Sequence, residues 1–199
     1  MARRSDHTRE ELIEMALSTT ERFLGNRPLG DISARQIAKE IGYTVGTLYT
    51  LFDNLADLQL QVNSRSLDAL RQTCLTAGAD EVDPTTRIKA YARAYVGFSR
   101  QNPHRWRAVF TRILPEEVPL PQWFDSRVGA MFEMLERPLR AIAPKKSDAD
   151  IQDATRILWG SVHGITSLSL DDHLFNSQTD EMAMTDALIG NFLASWIVS

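Results

Sequence analysis

Apolar side chains recur at intervals of three and four residues from end to end of this chain, and no segment alternates apolar with polar residues between turn signals. That period belongs to the faces of α-helices, so the pattern predicts an all-α fold and leaves no material for a sheet. At 199 residues, 43% hydrophobic and 24% charged, there is enough chain for one sizeable core or for a small domain joined to a larger one. The longest apolar runs span only a few residues, and the first twenty carry Arg3, Arg4, Asp6, Arg9, Glu10 and Glu11. Neither a membrane span nor a secretory signal fits, which places the chain in the cytoplasm. A single cysteine, Cys74, leaves no internal disulfide and no multi-cysteine metal site, and reads as a small apolar filler on a helix.

Capping signals divide the helical pattern into nine segments. The first, from about residue 8 to 25, carries Leu12, Ile13, Ala16, Leu17, Phe23 and Leu24 and stops at Gly25-Asn26. Ser33 with Gln36 forms a capping box for a second helix reaching Glu40 or Ile41, and Gly42 closes it. Thr44 caps a short third helix with Leu48, Tyr49 and Phe52. Asn54 with Asp57 opens a fourth that runs to about Ala77, a rod of about 35 Å between two domains. Asp83-Pro84 and Asn102-Pro103 each place a cap before a proline and start helices five and six. Pro115, Pro119 and Pro121 enforce a loop before helix seven, from about Gln122 to Ile142; Ser147 with Asp150 opens helix eight, and Ser177 with Asp180 opens helix nine. The domain reading is residues 1–53 for a small N-terminal three-helix domain and 54–199 for a larger helical one.

Helices two and three, "ARQIAKEIGYTVGTLYTLF", have the lengths and the glycine turn of a DNA-reading helix-turn-helix, and also those of an ordinary helical hairpin. Ile37, Ile41 and Leu48 would fill the core between them. Thr44, Val45, Gly46 and Thr47 would project from the start of the second helix, short enough to let backbone approach phosphates or base edges, with Tyr49 in reach of a phosphate. Charge argues against nucleic acid. The net charge is −4, and over the first sixty residues Arg3, Arg4, Arg9, Arg22, Arg27, Arg35 and Lys39 are outnumbered by acidic residues, so a DNA surface must be a local patch.

The stretch "ISARQIAKEIGYTVGTLYTLFDNLADL" resembles the N-terminal signature of the TetR family of transcriptional regulators in Ile37-Ala38, Gly42, Gly46-Thr47-Leu48-Tyr49, Phe52 and Leu58. "YVGFSRQNPHRWRAVF" and "LWGSVHGITSL" are similar to the subgroup whose C-terminal domain is named for a Trp-His-Gly pattern, here Trp159, His163 and Gly164. The resemblance implies a homodimer on double-stranded DNA, its recognition helices in successive major grooves of a palindromic operator. The implied C-terminal domains are all-α, pair through the last two helices and hold a small-molecule inducer. Carried onto this chain, it makes Arg35 a candidate for a guanine contact, and Thr44, Val45, Gly46, Thr47, Tyr49 and Thr50 the candidates on the recognition helix. The family usually has a phosphate-directed lysine at the start of helix four. Here that position is Leu55, which removes one backbone contact and either weakens DNA binding or shifts weight to the N-terminal arm, Arg3 and Arg4, a segment equally read as a solvated tail.

In the larger domain Tyr95, Phe98, Trp106, Phe110, Met131, Met134 and Trp159 are candidates to line an apolar cavity, or are plain core. Trp159 and His163 are four apart and share a helix face. His163 reads either as a satisfied core histidine or as a ligand contact. Gly160 and Gly164 suggest close approach of another helix, from this chain or a second copy. The same two covers are open for Trp196, Ile197 and Val198 at the end of helix nine.

No catalytic signature is present: no Gly-x-Ser-x-Gly, no Walker loop, no His-Glu-x-x-His. Asp171-Asp172-His173 could approach a metal but lacks a second cluster and reads as a solvated helix end. The expectation is a non-enzymatic, cofactor-free regulator, probed against a helical small-molecule binder that has lost specific DNA binding.

Overall fold

The computed structural model describes residues 7–170 and 180–198. All regular structure among them is helical: α1 (Arg9–Leu24), a 3-10 turn (Leu29–Asp31), α2 (Ala34–Glu40), α3 (Val45–Leu51), α4 (Leu55–Ala77), α5 (Pro84–Gln101), α6 (Pro103–Phe110), α7 (Gln122–Ile142), α8 (Asp148–Leu170) and α9 (Glu181–Val198). The caps explain these boundaries. The Thr8 side chain accepts from the Glu11 N–H at 3.2 Å while the Glu11 carboxylate accepts from the Thr8 N–H at 2.7 Å. Ser33 with Gln36 and Ser147 with Asp150 repeat this reciprocal arrangement. Asp57 N–H donates to Asn54 Oδ1 at 2.9 Å, and Thr86 N–H to Asp83 Oδ2 at 2.8 Å. Asp180 caps α9 by accepting from the Ala183 N–H. Ser177, the other half of the expected pair, lies outside the described residues, as do Arg3, Arg4 and Asp171-Asp172-His173. Pro138 lies buried inside α7, where it removes one backbone bond without ending the helix.

The chain divides into two compact units, Met1–Ser66 with Asn102–Pro121, and Leu67–Gln101 with Gln122–Ser199. A cut at 53/54 marks the end of the helix-turn-helix segment; the compact unit continues along α4 to Ser66 and takes back α6. Within the first unit α1 packs on α2, α3 and α6. Its core holds Ala16, Leu17, Leu24, Ile37, Ala38, Leu48, Phe52, Leu58 and Val62, with Ala108 of α6 among them. Asn63, buried on α4, donates to the Ala108 carbonyl at 2.5 Å. Arg65 forks onto Glu14 of α1 at 2.6 and 3.0 Å and reaches Glu21 at 3.5 Å.

In the second unit α5 packs on α7, α8 and α9, with α7 on α8 and α8 on α9. Ile88, Val96, Leu139, Ile151, Leu158 and Ile189 are almost fully buried there. Burying each such side chain is worth about 1.5–3 kcal/mol, so this interior carries much of the unit's stability. Arg93 pairs with Asp186, and Arg100 with the buried Glu181, which also accepts from Ser169. No helix among the described residues is long and apolar enough to cross a membrane.

The Arg65 guanidinium beside Glu14, helped by the Ser18 hydroxyl, holds the Glu14 carboxyl down from 4.5 to about 2. A carboxyl depressed in the fold stabilises above its ordinary value, and that support is lost as pH falls from 4.5 towards about 2. Urea midpoints followed across this range should fall less steeply for Glu14→Gln than for the unsubstituted chain. The difference should be small, because Glu14 is largely exposed and solvent screens the pair.

Candidate functional site

The helix pair turns at Gly42, whose φ of 79° is the left-handed conformation that a Cβ disfavours. Tyr43 N–H donates to the Ala38 carbonyl at 2.9 Å and Gly42 N–H to Lys39 at 3.2 Å, the two bonds of a Schellman cap. Extended Thr44 follows as the cap of α3: its Oγ1 accepts from the Thr47 N–H at 3.2 Å and lies 3.1 Å from the Thr47 hydroxyl. Leu48, Ile37 and Ile41 point inward and are buried. The opposite face is open: Arg35, Thr44, Gly46 and Thr50 are exposed, and Tyr49 is 51% exposed. Thr50 donates to the Thr47 carbonyl at 2.7 Å, so its hydroxyl is already engaged.

Val45 is half-buried and packs against the core cluster, as does Tyr43. The Tyr43 hydroxyl meets His7 Nδ1 at 2.8 Å, a tie between the N-terminal end of α1 and the turn that had no signal in the sequence. Arg9 reinforces it by donating to the Leu51 carbonyl at 3.3 Å, at the end of α3. Leu55 is also half-buried against this cluster. At this position the chain therefore presents packing surface where the TetR signature presents a cation.

The second unit holds a partly open cavity with about 490 Å³ of empty space, its mouth included. Its wall comes from Cys74 of α4, from Ile88, Tyr91, Ala92 and Tyr95 of α5, and from Met131, Phe132, Met134 and Leu135 of α7. Leu158, Trp159 and Val162 of α8 and Ile189 of α9 complete it. Of the candidates read from the sequence, Tyr95, Met131, Met134 and Trp159 meet here.

The other four do not line it. Phe98 is buried on α5 but away from the wall. Trp106 and Phe110 lie on α6, which belongs to the first unit, where the two rings meet edge to face at 5.1 Å. Helical spacing reports that a face is buried, and cannot report in which core. His163 is not part of the wall; it is half-buried and stacked on Trp159 with ring centroids 5.1 Å apart. Its Nδ1 lies 2.7 Å from the Tyr95 hydroxyl, and burial pushes its pKa below 6.5. Among residues not anticipated, Tyr91, Ile88 and Cys74 sit on the apolar stripes of their helices. Stripe membership does not tell a cavity wall from solid core.

Gly160 and Gly164 face open space, so no helix of this chain approaches them closely among the described residues. Ile197 is 45% and Val198 84% exposed, and Ile157 and Leu168 of α8 are exposed as well. At the end of α9 Trp196 is half-buried, its ring stacked on Phe192 and under Lys146, whereas this chain's own core does not cover Ile197 and Val198. Among the described residues no cluster of His, Cys, Asp and Glu is placed to hold a metal ion.

Residues 88–192, more than half the chain, match the family described as tetracycline-repressor-like, C-terminal domain. The chain belongs to the TetR-like family. The matched description covers the C-terminal domain in general and does not name the Trp-His-Gly subgroup. No curated protein matches the chain. Among solved structures, a protein of unknown function from Rhodococcus sp. RHA1 aligns with a TM-score of 0.77 at 18% identity, covering 97% of this chain and 98% of that one. BioQ, solved with its natural double-stranded DNA operator, aligns with a TM-score of 0.66 at 20% identity, covering 96% and 99%. RolR, solved with resorcinol, aligns with a TM-score of 0.66 at 15% identity, covering 96% and 87%. At these identities the likeness is one of fold, the all-α fold of TetR-family regulators.

Two outcomes follow for this TetR-like chain. A Cβ at Gly42 would meet nothing within 4 Å, so Gly42→Ala carries backbone strain alone. It should lower unfolding stability by about 1 kcal/mol in urea melts. Cys74 is buried, its Sγ donates to the Tyr91 carbonyl at 3.5 Å, and burial pushes its thiol up to about 12. It should resist a disulfide reagent in the native chain at pH 8 and react fully once urea unfolds it.

Proposed function

We propose that this TetR-like chain is a DNA-binding transcriptional repressor: a homodimer holds a palindromic operator, and a small-molecule inducer entering the cavity of the second unit releases it. The observation carrying this reading is the division of the helix pair into a buried face, Ile37, Ile41 and Leu48, and an open polar one. On it Arg35 carries a fork suited to guanine O6 and N7, Tyr49 a phenol within reach of a phosphate, and Thr44 and Thr47 hydroxyls beside the exposed backbone of Gly46. Val45 contributes by seating the start of α3 against the core.

Dimerisation through α8 and α9 is supported by the open glycines and by the exposed Ile157, Leu168, Met184, Ile197 and Val198. Such apolar surface is costly to leave in water and is relieved by a second copy. Two copies set two recognition helices on half-sites, at minimum about 34–36 Å apart. Release requires the inducer to favour the state that no longer spans them. A shift from 99:1 to 1:99 takes about 10⁴-fold preference, roughly 5.5 kcal/mol. Tyr95, Met131, Met134 and Trp159 would supply it by direct contact, with His163 positioning Tyr95 and Trp159.

A second reading, a small-molecule binder with weak or lost specific DNA binding, is favoured by the packed Leu55 and by the excess of acidic over basic side chains in the first sixty residues. Fluorescence anisotropy with duplexes from the DNA flanking the gene separates the two. The repressor should bind one duplex specifically and lose roughly 10³–10⁵ in affinity between about 50 and 200 mM salt. Arg35→Ala should cost about 1–3 kcal/mol on that duplex and little on unrelated DNA. Weak, sequence-blind binding, indifferent to Arg35→Ala, would establish the second reading instead.

A further inference from the structure

None of the side chains walling the cavity is Asp, Glu, Lys, Arg or His. The only wall groups able to ionise are one thiol and two phenols. Burial raises the Cys74 thiol to about 12 and pushes Tyr91 upward, so both are neutral at physiological pH. Two guanidiniums, Arg87 and Arg137, lie near enough to the Tyr91 phenol to act on it, yet Arg87 donates to the Glu81 carbonyl and Arg137 pairs with Glu133, while Arg93 pairs with Asp186 and Arg140 with Asp148. Arg156 lies over the Phe132 ring at 5.9 Å but is itself exposed and forms no part of the wall. His163, in contact with Tyr95, is shifted by burial towards its neutral form. A formal charge entering this space would leave water and find no counter-ion in the wall itself.

The wall is also unusually aromatic. Phe132 meets Trp159 edge to face at 5.7 Å, Tyr91 and Tyr95 follow one another at helical spacing on α5, and the thioethers of Met131 and Met134 lie among them. Ring edges, ring faces and polarizable sulfur favour a flat π system over a flexible alkyl chain, which would also lose more rotational freedom on entry.

We infer that the cavity takes a small uncharged aromatic molecule, such as a phenol, an indole or a fused-ring alcohol, and rejects carboxylates, phosphates and ammonium compounds of the same shape. This rests on the cavity being the regulator's ligand site, but it is tested without DNA.

The experiment is isothermal titration of the full chain at pH 7 with 1-naphthol, 1-naphthoate, 1-naphthylmethylammonium and 1-decanol. 1-Naphthol should bind saturably, with both ionic probes weaker by at least about 100-fold and decanol weaker as well. Ala92→Leu, which adds bulk to the wall from α5, should abolish naphthol binding while circular dichroism and melting show the fold retained. Should that variant not fold, Val162→Leu, adding bulk from α8, replaces it.

An ionic probe binding as tightly as naphthol overturns the inference. So does tighter binding of decanol, no saturable binding of naphthol, or naphthol binding that a folded cavity-filling variant leaves unchanged. Adding the specific duplex separates this from the proposed function. Tight naphthol binding with DNA affinity unchanged would sink inducer release by this ligand class and leave the cavity's preference standing. Release by naphthoate alone would do the reverse.

Discussion

The first unit depends on one backbone conformation. With Gly42 at φ 79°, the chain leaves α2, satisfies two carbonyls in a Schellman cap and re-enters a helix at Thr44 within two residues. Neither α2 nor α3, at seven residues each, would persist alone in water, since short helices cannot offset the cost of nucleation. They hold because the turn brings Ile37, Ile41 and Leu48 onto Leu24, Leu58 and Val62, and burial of that group makes the open face rigid. Arg35, Thr44 and Tyr49 are functional candidates because the residues beneath them have no freedom left.

The second unit follows a different logic. Its helices are longer and its buried positions more numerous, and the wall residues of the cavity are drawn from five helices, so no single element forms the site. What distinguishes the cavity is its chemistry: aromatic rings and thioethers, a thiol kept neutral by burial, and a histidine in contact with Tyr95 and Trp159. The recognition face offers hydroxyls and a guanidinium to water. The cavity offers almost nothing to it. The two surfaces differ in character, one polar and open, the other apolar and buried.

Much of this was legible from local rules. Capping pairs at Ser33/Gln36, Asn54/Asp57 and Ser147/Asp150 marked helix starts within a residue, because a cap is a bond between groups three residues apart and needs no tertiary context. Gly42 was legible for the same reason. Among the candidate recognition residues, Thr44, Gly46, Thr50 and Tyr49 are exposed as expected, whereas Val45 turns inward; periodicity near a helix start, where the phase is set by one cap, is a poor guide to a single position.

By itself, then, the sequence determined the all-α class, the helix boundaries, the turn at Gly42 and the TetR-like signature, since each rests on bonds or periods within a few residues of chain. Only the tertiary structure decided that α6 carries Trp106 and Phe110 into the first unit, that the cavity wall draws on Cys74 and Tyr91, that His163 contacts Tyr95 instead of lining the space, and that Leu55 packs against a core. An apolar stripe states that a face must be buried. Which neighbour buries it, and where packing leaves a gap, is a property of all the helices together.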